Sequence, residues 1–139
     1  MRRVVRALRL IRQRTDSDCG VCVAAMLAGV SYREARGAAE RLGLAWRTGL
    51  WAHELKRLLL SLTGRPWWGG PFRLRRRLSD FNGTPAAALV ASPKGRQLHW
   101  LVWHAGHVYD PAEDDGPQRP GVARVRRWKL KRLLRQLVG

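Results

Sequence analysis

Lysine and acidic side chains are scarce in this 139-residue sequence, although basic side chains are abundant. Lysine supplies four of the 27 basic residues, and only 10 aspartates and glutamates oppose them, which leaves a net charge of +17. The basic residues crowd into positions 2–14, 73–77 and 119–135. Such a field attracts polyanions or an acidic substrate, but a solvated arginine-rich surface explains the same composition. The charge therefore leaves open an acidic protein or nucleic acid as a partner.

The sequence also has no continuous apolar run near the length of about 18 residues that a membrane-spanning helix requires. Arg6 and Arg9 interrupt the apolar residues of the basic N-terminus, which excludes an ordinary secretory signal core. The two cysteines are too few for a secreted disulfide framework. We therefore expect a cytoplasmic protein with free thiols and without a transmembrane segment.

The length and the hydrophobic content of 45% are typical of one globular domain spanning residues 1–139. Helical spacing and capping residues predict helices over residues 20–30, 32–42 and 51–62. Short apolar runs predict a strand at 86–91 and a hairpin of strands at 98–103 and 107–109. Because the helices precede the strands, we predict an α+β fold in which N-terminal helices pack on a small antiparallel sheet.

Three basic segments give weaker signals. We expect a strand at residues 4–11 and a basic helix at 73–81. Apolar residues at helical spacing favour a basic amphipathic helix over residues 125–138. That helix would pack one face on the core or would dock an acidic partner or a membrane surface.

Cys19 stands at the start of the first predicted helix, after the polar run Thr15-Asp-Ser-Asp. A thiol attacks a carbonyl only as the thiolate, which the unsatisfied N–H groups at a helix N-terminus and a nearby imidazolium both favour. His99 would supply that imidazolium, and Asp110 at the same end of the predicted hairpin would orient its ring. Gln13 would donate its side-chain amide to the developing oxyanion, together with the backbone N–H of Cys19.

Other residues compete for these roles or fit different chemistry. His104 and His107 flank the hairpin turn and compete with His99, whereas Cys22 is expected to face the core. The Cys19-Gly-Val-Cys22 spacing also occurs in redox proteins, although no apolar strand precedes it here. The sequence contains no second cysteine pair or spaced histidine pair, so we expect no metal and no cofactor. The bulky aromatics Trp67, Trp68 and Phe72 would line a substrate groove or pack in the core.

The motif Gln-x5-Cys-Gly before an Ala/Met/Leu-rich helix, followed by His99-Trp-Leu-Val and Val-Tyr-Asp110-Pro, resembles a known family. It is similar to the papain-like cysteine peptidases that trim double-glycine leaders from bacteriocin precursors. The resemblance covers most of the chain, including its final segment at 128–139, which resembles that family's closing helix. It implies a papain-like fold without metal, with Cys19 as nucleophile, His99 as general base and acid, Asp110 as orienter and Gln13 as oxyanion donor. Many members are fused to a membrane transporter, a segment that this sequence lacks.

Two functional hypotheses follow from these observations. The first is a cysteine peptidase that cleaves a peptide or isopeptide bond in a peptide or protein substrate, through an acyl-thioester intermediate. The alternative is a catalytically silent peptidase fold whose basic surface binds nucleic acid or an acidic protein.

Overall fold

The computed structural model describes residues 8–113 and 115–137. Three α-helices come first: α1 (Cys19–Ala28), α2 (Tyr32–Arg41) and α3 (Ala52–Thr63). Strands β1 (Trp67–Trp68), β2 (Ala86–Ala91), β3 (Leu98–His104), β4 (His107–Tyr109) and β5 (Lys129–Gln136) follow. Short 3-10 turns form at Trp46–Thr48 and Leu78–Asp80. The described chain therefore has the α+β architecture that the sequence predicts. None of its helices has the length and the hydropathy that a membrane span requires.

Local sequence explains the bounds of the helices. The Ser31 hydroxyl accepts a hydrogen bond from the Glu34 backbone, so α2 begins where its capping residues predict. Gly29 ends α1 with φ 68°, a left-handed conformation that glycine adopts without steric cost. The predicted helices at 20–30, 32–42 and 51–62 are thus confirmed to within two residues at either end.

The five strands form one antiparallel sheet in the order β1-β5-β2-β3-β4. Strand β2 lies at its centre and consists of apolar residues, as expected of a strand that is covered on both faces. Strands β3 and β4 form the predicted hairpin, with Ala105 and Gly106 in the turn.

Each face of the sheet contributes to a separate hydrophobic cluster. The helices pack on the face that carries Ala87, Trp100, Val102 and Leu134. The opposite face carries Ala88, Val90, Leu101 and Leu133, and it is covered by Phe81 and by loop residues Ala123 and Val125. The loop before β5 therefore covers part of the face of the sheet that the helices leave open.

The predicted C-terminal helix at 125–138 is wrong, because residues 129–136 form strand β5. Leu130, Leu133, Leu134 and Leu137 have the i, i+3, i+4, i+7 spacing of an amphipathic helix. In the sheet, however, Leu133 and Leu134 point to opposite faces, and each enters one of the two hydrophobic clusters. Pairing with β2 buries both residues, and this tertiary gain overrides the local pattern.

Two other weak predictions also fail. The basic helix expected at 73–81 is reduced to the single 3-10 turn Leu78–Asp80, in which the Asp80 carboxylate accepts from the Arg77 backbone. Of the strand expected at 4–11, residues 4–7 lie outside the described residues, and residues 8–11 form no strand.

Candidate active site

The side chain of the N-cap residue of α1 does not cap the helix. Asp18 is the N-cap residue and is fully buried, but its side chain makes no capping bond to the described residues of α1. Its carboxylate instead accepts from the backbones of Arg14 and Thr15, at 3.0 and 3.1 Å, and from the Tyr32 hydroxyl at 2.7 Å. These bonds fix the preceding loop, while the Asp18 carbonyl accepts from the backbones of Val21 and Cys22 in the first turn of α1.

Cys19 lies where the start of α1 meets the start of β3. Its sulfur accepts a hydrogen bond from the Trp100 backbone at 3.5 Å, and the residue keeps 7% of its surface exposed. The Trp100 indole is itself held by the Leu50 carbonyl at 2.8 Å. The Trp100 backbone therefore positions the thiol, and the indole bond to Leu50 holds Trp100 in place.

Cys22, one helical turn further on, has a different environment. It is fully buried in the helix-side cluster, as the sequence predicts. Burial, and then the charges of Asp18 and Cys19, hold the pKa of the Cys22 thiol far above its usual range. Such a thiol stays protonated and is a poor nucleophile.

His99 joins the thiol to a carboxylate. Its Nε2 lies 2.6 Å from Oδ1 of Asp110, and the ring also interacts with the Cys19 sulfur. Burial by itself lowers the pKa of His99, but the hydrogen bonds to Asp110 and Cys19 outweigh it and raise the pKa to about 9. The ring is therefore an imidazolium at neutral pH, and its charge faces the sulfur.

Asp110 is held in the charged form. Only 1% of its surface is exposed, and burial by itself raises the pKa of its carboxyl. The hydrogen bonds from His99 and from the Ala112 backbone, together with the Arg124 charge, lower the pKa below the usual value instead. Both oxygens are engaged, since Oδ2 accepts from Nε and Nη2 of Arg124 at 3.2 Å each.

Arg124 and Trp128, in the loop before β5, support the pair formed by His99 and Asp110. The Arg124 guanidinium lies 5.1 Å from the centre of the Trp128 ring, and it also approaches Glu113 at 3.6 Å. Trp128 in turn meets the His99 ring edge-on, with 6.3 Å between the ring centres. The two side chains thus form a wall that fixes Asp110 and shields His99 from water.

Replacing Arg124 tests this wall. We expect Arg124→Met to lower the free energy of unfolding by about 1 kcal/mol, because a buried carboxylate oxygen loses its charged donor while water partly replaces it. Arg33→Met removes an exposed arginine from α2 and is expected to change stability by less than about 0.5 kcal/mol. Urea denaturation followed by circular dichroism measures both values. Equal effects of the two substitutions would show that Arg124 does not support Asp110.

Gln13 lies beside Asp110 but is not poised as a donor. Its backbone N–H donates to the Pro111 carbonyl at 2.9 Å, which anchors its segment next to the catalytic candidates. Its side-chain nitrogen donates to the Thr15 carbonyl at 2.8 Å, and its side-chain oxygen is buried without a partner among the described residues. To donate to an oxyanion, the Gln13 amide must first leave Thr15.

The structure separates the competing histidines from the site. His104 and His107 pair with each other at the hairpin turn, five residues along β3 from His99, which is about 17 Å of extended chain. His107 contacts the carbonyl of Ala105 rather than Asp110. The geometry therefore brings Cys19, His99 and Asp110 together.

The aromatic residues near position 70 take separate places. Trp67 is buried in the helix-side cluster, and its indole donates to Thr63 at 3.1 Å. Phe72 is half-buried against Phe81, with ring centres 5.5 Å apart. Trp68 is exposed, so the sequence hypothesis of a groove lined by all three residues does not hold.

Sequence reasoning missed the residues that support the site. The sequence places Asp18 directly before the first helix but gives no sign of its bond to Tyr32, and nothing in the sequence distinguishes Arg124 from its many basic neighbours. Among the described residues, no group of three or more histidine, cysteine, aspartate or glutamate side chains could hold a metal ion. In comparisons with known proteins, no family model and no curated protein matches the chain.

Proposed function

We propose that the protein is a cysteine peptidase of papain-like fold, which cleaves a peptide or isopeptide bond through Cys19, His99 and Asp110. One observation carries the proposal: the His99 ring lies 2.6 Å from the buried Asp110 carboxylate and also interacts with the Cys19 sulfur, and both interactions raise its pKa. A thiol, an imidazole and a carboxylate joined in this order are the parts of an activated sulfur nucleophile.

Acylation follows from the protonation states of these groups. The Cys19 thiolate attacks the carbonyl carbon of the substrate, and the electron pair of the carbonyl moves to oxygen. The N–H groups at the start of α1 stabilise this oxyanion, and the Gln13 amide joins them once it leaves Thr15. The His99 imidazolium then gives its proton to the leaving amine as the C–N bond breaks, which leaves an acyl-thioester on Cys19.

Deacylation reverses the roles. Neutral His99 takes a proton from water, the resulting hydroxide attacks the thioester carbonyl, and the thiolate departs with the imidazolium restored. Asp110 remains a carboxylate throughout, because its lowered pKa favours the charged form, and it holds the ring by Nε2. An amine in place of water as the acceptor gives transpeptidation through the same residues.

Cleavage of a peptide library tests the proposal. The protein is incubated with peptides from a proteome digest, and new N-termini are identified by mass spectrometry. We expect new N-termini with the wild-type protein and with Cys22→Ala, and none with Cys19→Ala. If Cys19→Ala produced the same new N-termini as the wild-type protein, the proposal would be contradicted.

A silent binding module is the second candidate, and the engaged Gln13 amide favours it. A glutamine that is bonded to Thr15 leaves the oxyanion with fewer donors. In that case the library remains uncleaved, and binding of an anionic partner is unchanged by Cys19→Ala.

A further inference from the structure

A basic groove lies on the face of the sheet opposite the helices. Its volume is about 450 Å³, and it is lined by residues 75–79, by residues 120, 121, 123 and 125–130, and by Val90 and Val108. Six cationic side chains line it: Arg75, Arg76, Arg77, Arg126, Arg127 and Lys129. All six belong to the crowded basic segments of the sequence, which the fold brings to one place.

The charge in the groove is largely uncompensated. Arg76 pairs with Asp80 at 3.4 Å, but the other five cations form no ion pair with any described residue. No aspartate or glutamate of the described chain lines the groove. Since like charges held together repel, this arrangement favours an anionic occupant.

The groove adjoins the candidate active site. Trp128 lines the groove and meets the His99 ring edge-on. Val90 also lines the groove, and it pairs with His99 across strands β2 and β3. The groove therefore lies next to two residues that contact His99, with the Trp128 ring between the groove and the histidine.

The chemistry of the groove favours a peptide over nucleic acid. Binding of single-stranded nucleic acid relies on aromatic rings with free faces for base stacking. Trp128 is the one aromatic side chain of the described residues that lines the groove, and Arg124 already lies over its ring. Carboxylates need only the arginine donors, which bind them in paired geometry.

We propose that the basic groove binds a run of aspartate or glutamate residues in the polypeptide substrate, close to the bond that is cleaved. The part of this inference that concerns a cleaved bond rests on the proposed peptidase function. The groove would select acidic substrates by charge, while Cys19, His99 and Asp110 perform the chemistry.

Binding of a fluorescent deca-glutamate peptide, measured by anisotropy with Cys19→Ala, tests the groove without requiring catalysis. In this background, we expect Arg126→Gln/Arg127→Gln to weaken binding by about tenfold. The matched pair Arg33→Gln/Arg57→Gln removes the same charge from exposed positions on α2 and α3 and is expected to weaken binding by less than about twofold. Equal losses in the two pairs would overturn the proposal, because a general positive field would then explain the binding.

Two further readouts place the ligand. A single-stranded oligothymidine of the same length is expected to bind more weakly than deca-glutamate, and tighter binding that also depends on Arg126 and Arg127 would assign the groove to nucleic acid instead.

With wild-type protein, bound deca-glutamate should slow the alkylation of Cys19 several-fold, and an unchanged rate would separate the groove from the substrate path. If deca-glutamate binds the groove but the peptide library remains uncleaved, the peptidase proposal fails and the anion site stands.

Discussion

Replacement of His99 by alanine is expected to slow the alkylation of Cys19 by iodoacetamide at pH 6 by about a hundredfold. With a pKa of about 9, the His99 ring is fully protonated at this pH, and its charge stabilises the thiolate that reacts. Without the ring, the sulfur loses this charge and faces the buried Asp110 carboxylate across a cavity. The positive charge that favours the reactive thiolate is then missing, so iodoacetamide is expected to react with the sulfur far more slowly.

His104→Ala is the matched control for this prediction. It removes a histidine from the far end of the same strand, where the ring does not reach Asp110. The alkylation rate of Cys19 in this variant should stay within about twofold of the wild-type rate, and peptide mapping by mass spectrometry separates it from any reaction at buried Cys22. A comparable rate in wild-type protein and His99→Ala would remove the case for an activated thiol.

Gly69→Ala is expected to lower the free energy of unfolding by about 4 kcal/mol. A Cβ atom on Gly69 would lie 1.9 Å from the Leu133 carbonyl oxygen and 2.7 Å from its carbon, both of which belong to the backbone of β5. A backbone cannot rotate away as a side chain can, so β1 and β5 must separate. Denaturant unfolding measures the loss.

The adjacent glycine provides the control for this substitution. A Cβ on Gly70 would meet its nearest neighbour, the Trp68 ring, at 3.7 Å, which is ordinary van der Waals contact. Gly70→Ala should therefore change stability by less than about 1 kcal/mol. Similar losses at both positions would contradict the close approach of residue 69 to β5.

The elements that the sequence predicts correctly are those whose signals are local. The Ser31 hydroxyl accepts from the Glu34 backbone at the start of α2, and Gly29 ends α1, so these bounds follow from a few neighbouring residues. The hairpin of β3 and β4 is also local, because its turn joins adjacent strands. Strand β5 is different: its leucine spacing fits a helix, and only its distant partner β2 makes the strand more stable.

Some residues of the candidate site could likewise be predicted from local sequence, and others could not. Cys19, His99 and Asp110 could be proposed from residue type and from their positions at the ends of predicted elements. The supporting contacts of Arg124 could not, because they join it to Asp110 across an irregular loop that gives no periodic signal. Asp18 looked like a helix cap, but its bond to the Tyr32 hydroxyl depends on the packing of α2 against α1.

Titration of the His99 ring by NMR tests the central claim most directly. In a sample with labelled histidine, each imidazole ring gives its own resonances. The resonances that are missing from the His99→Ala spectrum belong to His99. Because the contacts with Asp110 and Cys19 raise the pKa, the ring should keep its proton from pH 6 through pH 8 and lose it at about pH 9. A midpoint near 6.5, the ordinary value for histidine, would mean that the ring does not pair with the carboxylate and the sulfur, and the proposed catalytic arrangement would be wrong.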